Sequence, residues 1–168
     1  MAISMYNASI PVFKQLLSAL NAILIKTERM LNDEMKPETL LQARLFPDMF
    51  NFTRQVQIAT DFAKGVSARL AGQEVPVYED KETTFGELQA RIAKTLQFIS
   101  SITPEEINGS EKNEIITRPG TPKEKKFNGE TYLLHYGLPQ FFFHITTAYA
   151  ILRNNGIEIG KLDYMGTF

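Results

Sequence analysis

GLPQFFFHITTAYAILRNN, residues 137–155, is the stretch that decides the fold of this chain. It has the pattern of one helix, with Pro139 in the first turn and Asn155, followed by glycine, at the end. Apolar side chains fall on nearly every side of that helix. A helix of this kind is normally buried, so we expect it to be the central helix of a helical domain or to lie in a subunit interface.

The N-terminal part of the chain predicts the first helix. A wide apolar stripe begins near Ser4 or Ser9 and continues to about Leu31. Its width is typical of a helix in a bundle rather than of a two-stranded coiled coil. Pro11 either opens this helix or kinks it early.

Two further helices are predicted in the middle of the chain. Pro47 begins the second, with Asp48 in its first turn, where the helix dipole favours an acid, and Gly72 ends it. The third begins at a capping box, in which Thr84 and Glu87 satisfy backbone N–H groups reciprocally.

These four amphipathic segments, without strong strands, predict an all-α four-helix bundle that forms a single domain over residues 1–168. Residues 105–131, between the third and fourth helices, contain Asn-Gly and Pro-Gly turn signals and two short β-prone pieces. They predict a loop with a small hairpin. Such an insertion is either a functional lid or interface arm, or an exposed surface decoration.

Composition restricts the classes of function. The net charge is -1 and the apolar content is 43%, which is typical of a globular protein and gives no basic footprint for nucleic acid or a membrane surface. The chain contains no cysteine, so thiolate chemistry and Cys-ligated metals are excluded. We therefore expect a cytoplasmic protein without nucleic-acid or membrane partners.

Three segments carry a resemblance to a known family: the first predicted helix, PDMFNFTRQVQIATDFAKG (residues 47–65) and FFFHITTAYAILRNNGIEIGKLDYMG (residues 141–166). Together they resemble an uncharacterised bacterial domain-of-unknown-function family in the DinB-like (YfiT-like) superfamily of metalloenzymes. The resemblance implies a DinB-like four-helix bundle that is often dimeric. It also implies a divalent metal held by three histidines, one on the second helix and two spaced HxxxH on the last. Relatives include metal-dependent thiol transferases and a maleylpyruvate isomerase that uses a low-molecular-weight thiol.

The histidines of this sequence depart from that pattern. The chain has two histidines, so it cannot supply three, and the second HxxxH position after His144 is Ala148. His135 and His144, with a carboxylate, remain weak candidates for a zinc or nickel site, since such metals need about three protein ligands.

His144 and Gln55 are the principal candidate site residues. Each interrupts an otherwise apolar helical face, and a buried polar group without a partner costs about 1–3 kcal/mol. We therefore predict that the two side chains meet inside the bundle. A purely structural contact between helices is the simpler interpretation of both. Asp61 is expected on a solvated charged face with Gln57 and Lys64.

Two functions remain open. In the first, the protein lacks the three-histidine metal site, needs no cofactor and binds a small ligand or a partner in a pocket formed by His144, Gln55 and Tyr149. In the alternative, it is a metal-dependent or His-based small-molecule or thiol transferase-like enzyme, with His144 as the catalytic acid or base. A homodimer is expected in either case, because Phe142, Ile145 and Tyr149 would otherwise face water.

Overall fold

The computed structural model describes residues 3–32 and 35–168 of the chain. Within these ranges the protein is mostly helical, with one small antiparallel sheet. A single turn of 3-10 helix spans Ser110–Lys112, and a π-helical segment spans Tyr132–Gly137. The strands are β1 (Glu114–Thr117) and β2 (Lys125–Asn128). The helices are α1 (Ile10–Met30), α2 (Pro37–Gln42), α3 (Phe52–Leu70), α4 (Phe85–Ser100), α5 (Pro104–Ile107), α6 (Gly129–Thr131), α7 (Leu138–Asn154) and α8 (Lys161–Met165).

The long helices α1, α3, α4 and α7 contact one another and share one hydrophobic core. Helix α3 lies between α4 and α7, and α1 contacts both α4 and α7. Buried aromatic rings join the helices: Phe13 of α1 meets Phe141 of α7 edge-on at 4.8 Å, and Phe52 of α3 meets Phe85 of α4 at 5.8 Å. Because α3 and α7 are direct neighbours, inward-facing polar residues on these two helices can reach each other.

The capping box at the start of α4 is confirmed. The hydroxyl of Thr84 accepts a hydrogen bond from the Glu87 N–H at 3.1 Å, and the Glu87 carboxylate accepts one from the Thr84 N–H at 3.1 Å. Pro11 is in the first turn of α1, so it opens that helix rather than kinking it. Both starts depend on local chemistry that the sequence displays directly.

The predicted start of the second long helix is wrong. Helix α3 begins at Phe52, with Asn51 as its N-cap accepting from the Arg54 N–H at 2.9 Å. Pro47 and Asp48 lie in a separate turn, in which the guanidinium of Arg44 donates to the carbonyl oxygens on either side of Asp48. The helix therefore begins at the N-cap residue Asn51, four residues after Pro47, and not at the proline.

The helical segment that contains α7 begins earlier than the sequence predicts. Helix α6 and the π-helical segment Tyr132–Gly137 run without interruption into α7. Gly137, at the junction, lies so close to α3 that a Cβ there would be 2.6 Å from a methyl carbon of Val66. Glycine thus permits the start of α7 to approach α3 more closely than any other residue would.

The predicted hairpin in the 105–131 insertion is confirmed. Strands β1 and β2 pair antiparallel, with Glu114 opposite Asn128 and Thr117 opposite Lys125. Ile115 and Thr117 are buried, so one face of β1 packs against the helices. The hairpin therefore packs partly against the core and is not entirely exposed to solvent.

The expectation that α7 is enclosed on every side is wrong for the single chain. Phe142 and Phe143 are 37% and 54% exposed, whereas Ile145, expected to face water, is only 2% exposed. The exposed side is a shallow apolar groove shared with Leu45. Helices α1, α3 and α8 contact other sides of α7. No helix in the described part of the chain is long and apolar enough to cross a membrane.

Candidate functional site

A cavity of about 510 Å³ opens between α3, the π-helical segment, α7 and the hairpin. It contains the buried His144 and several cationic and aromatic side chains, which makes it the candidate functional site. Its lining consists of Phe50, Arg54, Ile58, Asp61, Phe62, Val66, Arg69, Thr117, Arg118, Lys125, Tyr132, Tyr136, Gln140 and His144.

The predicted meeting of His144 and Gln55 is confirmed. The Nδ1 atom of His144 lies 2.7 Å from Oε1 of Gln55, and both residues are buried. The amide of Gln55 is itself fixed, because its Nε2 donates to the carbonyl oxygen of Phe50 at 3.2 Å. The contact joins α3 to α7. A role of these two residues in ligand binding stays a prediction.

These two hydrogen bonds determine the tautomer of the imidazole. Since the Gln55 amide nitrogen is used by Phe50, its oxygen faces His144 and can only accept. His144 Nδ1 must therefore carry the proton, which leaves Nε2 with a lone pair. No described residue hydrogen-bonds Nε2, and this atom is not sealed from solvent. Because His144 lines the cavity and Nδ1 is already bonded, Nε2 is the ring nitrogen that remains for a bound molecule.

His144 is neutral at physiological pH. The pKa of His144 is lowered from its ordinary value of 6.5 to about 4, mainly because burial disfavours the charged ring and to a smaller extent because Arg54 is positively charged. Its ring also stacks on Phe62, with ring centres 6.0 Å apart. A neutral imidazole can accept a proton or a hydrogen bond but offers no positive charge to an anion.

Positive charge in the cavity comes from other residues. Arg54, Arg69, Arg118 and Lys125 all line it, and Asp61 is the acid among its described lining residues. Asp61 is already neutralised, since its carboxylate bonds Lys64 at 2.7 Å and Arg91 at 2.8 Å outside the cavity lining. The cavity therefore favours an anionic ligand group.

Arg69 and Tyr132 form a polar pair beside the aromatic wall. The Arg69 guanidinium donates to the Tyr132 hydroxyl oxygen and to the Gly65 carbonyl oxygen, each at 3.1 Å. Burial raises the pKa of the Tyr132 phenol, although the neighbouring Arg69 opposes that rise. Tyr132 is therefore protonated at neutral pH. Its own O–H has no acceptor among the residues that the structure describes, and because the side chain is buried, a ligand could reach it only from the cavity that Tyr132 lines.

Aromatic rings complete the wall. Tyr136 packs against Phe62 at 5.9 Å and against Tyr132 at 5.9 Å, and Phe127 of β2 covers both tyrosines at 5.0–5.6 Å. The amino group of Lys125 lies 5.4 Å from the centre of the Tyr136 ring. These aromatic rings form an apolar side of the cavity, and Lys125 adds a positive charge at its edge.

The face of α3 around Asp61 was predicted to be solvated, and this is wrong. Gln57 and Lys64 are 4% and 5% exposed. The connector between α3 and α4 covers them: Tyr78 lies 4.6 Å from the Lys64 amino group, and Glu82 accepts from the Gln57 amide at 2.8 Å. The connector thus buries a charged face of α3. The residue pattern of α3 alone does not predict where this connector lies.

The remaining sequence-predicted site residues lie away from the cavity. Tyr149 is half-buried against Tyr164 of α8, with ring centres 5.9 Å apart, and is not part of the cavity lining that the structure describes. His135 is exposed on the π-helical segment and does not line the cavity either. Over the described ranges no three His, Asp or Glu side chains are grouped so as to hold a metal ion. The donor set therefore does not fit the three-ligand metal site that the family resemblance implies.

Arg69 and Tyr132 line the cavity but were not predicted as site residues. A signal for Arg69 does exist: Gln55, Phe62 and Arg69 follow each other at seven-residue intervals and so share one side of α3. Tyr132 carries no such signal, because its position depends on the π-helical segment.

Comparison with solved structures places this arrangement in a known class. A DinB family member protein from Shewanella denitrificans superposes with a TM-score of 0.90 at 38% sequence identity, over 97% of this chain and 92% of that one. The fold therefore defines a mostly helical, DinB-like protein. More narrowly, the model of the domain of unknown function DUF1993 matches residues 5–165, and the chain belongs to that family. The search of curated proteins gave no match.

Proposed function

We propose that this DUF1993 protein binds a small anionic molecule in the cavity beside His144, and that its four long helices form the four-helix bundle of the DinB-like class. The cationic lining of the cavity carries this proposal: Arg54, Arg69, Arg118 and Lys125 line it, and Asp61, its acid among the described lining residues, is already paired. The bond between His144 Nδ1 and Gln55 Oε1, at 2.7 Å, uses the N–H of the imidazole inside the protein and leaves the Nε2 lone pair for an uncharged donor group of the bound molecule.

The charges support an anionic ligand. Within the described chain Arg118 and Lys125 form no ion pair, although both line the cavity. Exposed cations without partners add little to stability. Their place at the mouth of a cavity whose acid is already paired is what anion capture requires.

A second candidate function uses the same imidazole as a general base. A neutral histidine with a fixed tautomer and an open Nε2 can accept a proton from a bound molecule, and Gln55 holds the ring as an orienting group does in such sites. This second function would be a His-based small-molecule transferase-like enzyme that acts on a molecule held in the same cavity.

The binding proposal is tested with phenylacetate and its neutral analogue phenylacetamide. We expect phenylacetate to bind the untagged protein at least tenfold more tightly, because only the carboxylate interacts with the basic side chains. Isothermal titration calorimetry measures both affinities. Equal affinities, or no binding of either compound, would contradict the proposal.

Charge-removing variants locate that binding. The double change of Arg118→Gln and Lys125→Gln should weaken phenylacetate binding about fivefold, equivalent to about 1 kcal/mol. Lys123→Gln is the matched control, since Lys123 is exposed in the same hairpin loop but does not line the cavity. Unchanged binding in the double variant would place the ligand elsewhere.

The exposed aromatic side of α7 supports the further proposal of a homodimer, and we propose separately that the protein is cytoplasmic. Phe142 and Phe143 form an apolar groove with Leu45, and Phe46 nearby in sequence is 63% exposed. We expect the wild type to sediment as a dimer and Phe143→Ser to sediment as a monomer in analytical ultracentrifugation. Because Phe143 is largely exposed within one chain, this change should leave the thermal unfolding of the monomer intact. A monomeric wild type would remove this proposal.

A further inference from the structure

We infer that the molecule held in this cavity carries a hydroxyl group at one end and an anionic group at the other, separated by a flat ring, as in a hydroxyaryl carboxylate. This inference rests on the proposed binding function and specifies its ligand class. It depends on two polar positions of the cavity, His144 at one end and the Arg69–Tyr132 pair at the other.

The hydroxyl end follows from the tautomer of His144. Nε2 can only accept, because Gln55 holds the proton on Nδ1. A ligand oxygen without a hydrogen would bring two lone pairs together there and leave both unsatisfied, at a cost of about 1–3 kcal/mol. A ligand hydroxyl satisfies Nε2 by donating its hydrogen.

The anionic end follows from the open donors of Arg69 and Tyr132. One guanidinium nitrogen of Arg69 serves Gly65 and Tyr132, while the others have no partner in the described ranges. The Tyr132 O–H is available as well. A carboxylate can accept from both residues, and charge-assisted bonds of this kind are the strong ones. Arg54 is less suitable, since it is paired with Asp80 and donates to Gln57.

The spacing between the two ends follows from the geometry of α3. The Arg69 guanidinium is fixed at the level of the Gly65 carbonyl, whereas His144 is fixed at the level of Gln55. Those two levels are ten residues apart, or about 15 Å along the helix. Two hydrogen bonds of about 2.8 Å each take up part of that length. About 9 Å then remains between the two polar groups of the ligand, which is closer to the length of a benzene ring with a short acid side chain than to that of the ring alone.

The material between the ends suits an aromatic spacer. Phe62 lies between Gln55 and Arg69 on α3, and Tyr136 packs against it at 5.9 Å. Ile58 and Val66 extend the same apolar surface within the lining. A ring can pack on these side chains while its substituents reach the polar positions.

Three compounds test the inference on the full-length, untagged protein: 4-hydroxyphenylacetate, phenylacetate, which lacks the hydroxyl, and 4-methoxyphenylacetate, whose oxygen cannot donate. We expect the hydroxy compound to bind about tenfold more tightly than phenylacetate, and the methoxy compound no more tightly than phenylacetate. Calorimetry gives the three affinities.

The double variant His144→Phe with Gln55→Leu tests whether the imidazole is responsible. It replaces both polar partners by apolar groups of similar size, so neither is left unsatisfied. The variant should keep its affinity for phenylacetate and lose the tenfold preference for the hydroxyl. His135→Gln, which changes the exposed histidine, should keep the preference.

The outcomes separate the inference from the proposed function. If phenylacetate binds and the hydroxy compound binds no more tightly, the inference is overturned while the anion-binding function stands. Equal affinity of the methoxy and hydroxy compounds, or a preference that survives in the double variant, also overturns it. If none of the three carboxylates binds, both are wrong.

Discussion

Replacing Arg91 with methionine is expected to lower the free energy of unfolding by about 2–3 kcal/mol, the loss expected for buried hydrogen bonds to charged groups. Arg91 is 4% exposed and holds several acids at once. Its guanidinium lies 2.8 Å from Asp61, 3.0 Å from Asp80 and 3.0 Å from Glu82. Methionine fills much of the same volume but removes the ion pair of Glu82, whereas Asp61 and Asp80 each keep one other cation, Lys64 and Arg54 respectively. Urea denaturation measures the loss, and we expect the slope m of the unfolding free energy against urea concentration to be unchanged.

The loss should come from the buried network and not from removal of any basic residue. Lys81 pairs with Glu79 on the same connector, but both side chains are exposed. Lys81→Met should therefore leave stability unchanged within the error of the measurement. If Arg91→Met is as stable as Lys81→Met, the connector between α3 and α4 is held by its apolar contacts, and the ion pairs around Arg91 contribute little.

The second large effect is a pH dependence that belongs to His144. In the folded state its pKa is about 4, whereas the unfolded chain has the ordinary value of 6.5. Above pH 6.5 both states are neutral at this site and nothing is lost. Between pH 6.5 and 4 the unfolded state binds a proton that the folded state does not, so stability falls as the pH falls. At about 1.4 kcal/mol per pKa unit, the total is about 3 kcal/mol.

Comparison of variants isolates this term from the titration of carboxylates. The stability difference between the wild type and the His144→Phe, Gln55→Leu double variant should narrow by up to about 3 kcal/mol between pH 6.5 and 4 if the wild type is the more stable. His135→Gln should follow the wild-type pH curve, because it leaves His144 in place. Parallel curves for the wild type and the double variant would show that the imidazole keeps its ordinary pKa in the fold.

Local signals in the sequence predicted the helices well, and non-local packing limited the rest. The Thr84–Glu87 capping box places the start of α4 because both partners lie within one helical turn. The start of α3 was missed because Pro47 and Asn51 both carry helix-start chemistry, and the turn held by Arg44 decides between them.

The candidate site was predictable where a residue departed from its own helix pattern. His144 and Gln55 each interrupt an apolar face, and this departure alone indicated their contact across two helices. Tyr149 has no such departure, and it packs on α8 instead. The burial of Lys64 could not be predicted, since Tyr78 covers it from a connector with no helical or strand period.

The π-helical segment Tyr132–Gly137 separates the two sides of the cavity along the chain. Tyr132 and Tyr136 belong to it, the basic hairpin precedes it, and His144 follows it. Each residue of an α-helix turns the chain by about 100°, and a π-turn contains one residue more than an α-turn. The one extra residue of the π-turn therefore determines the rotation about the helix axis that separates the hairpin from His144. A relative without that residue would keep the motif around His144 yet present a different surface opposite it, so alignment of the motif alone does not transfer a ligand between family members.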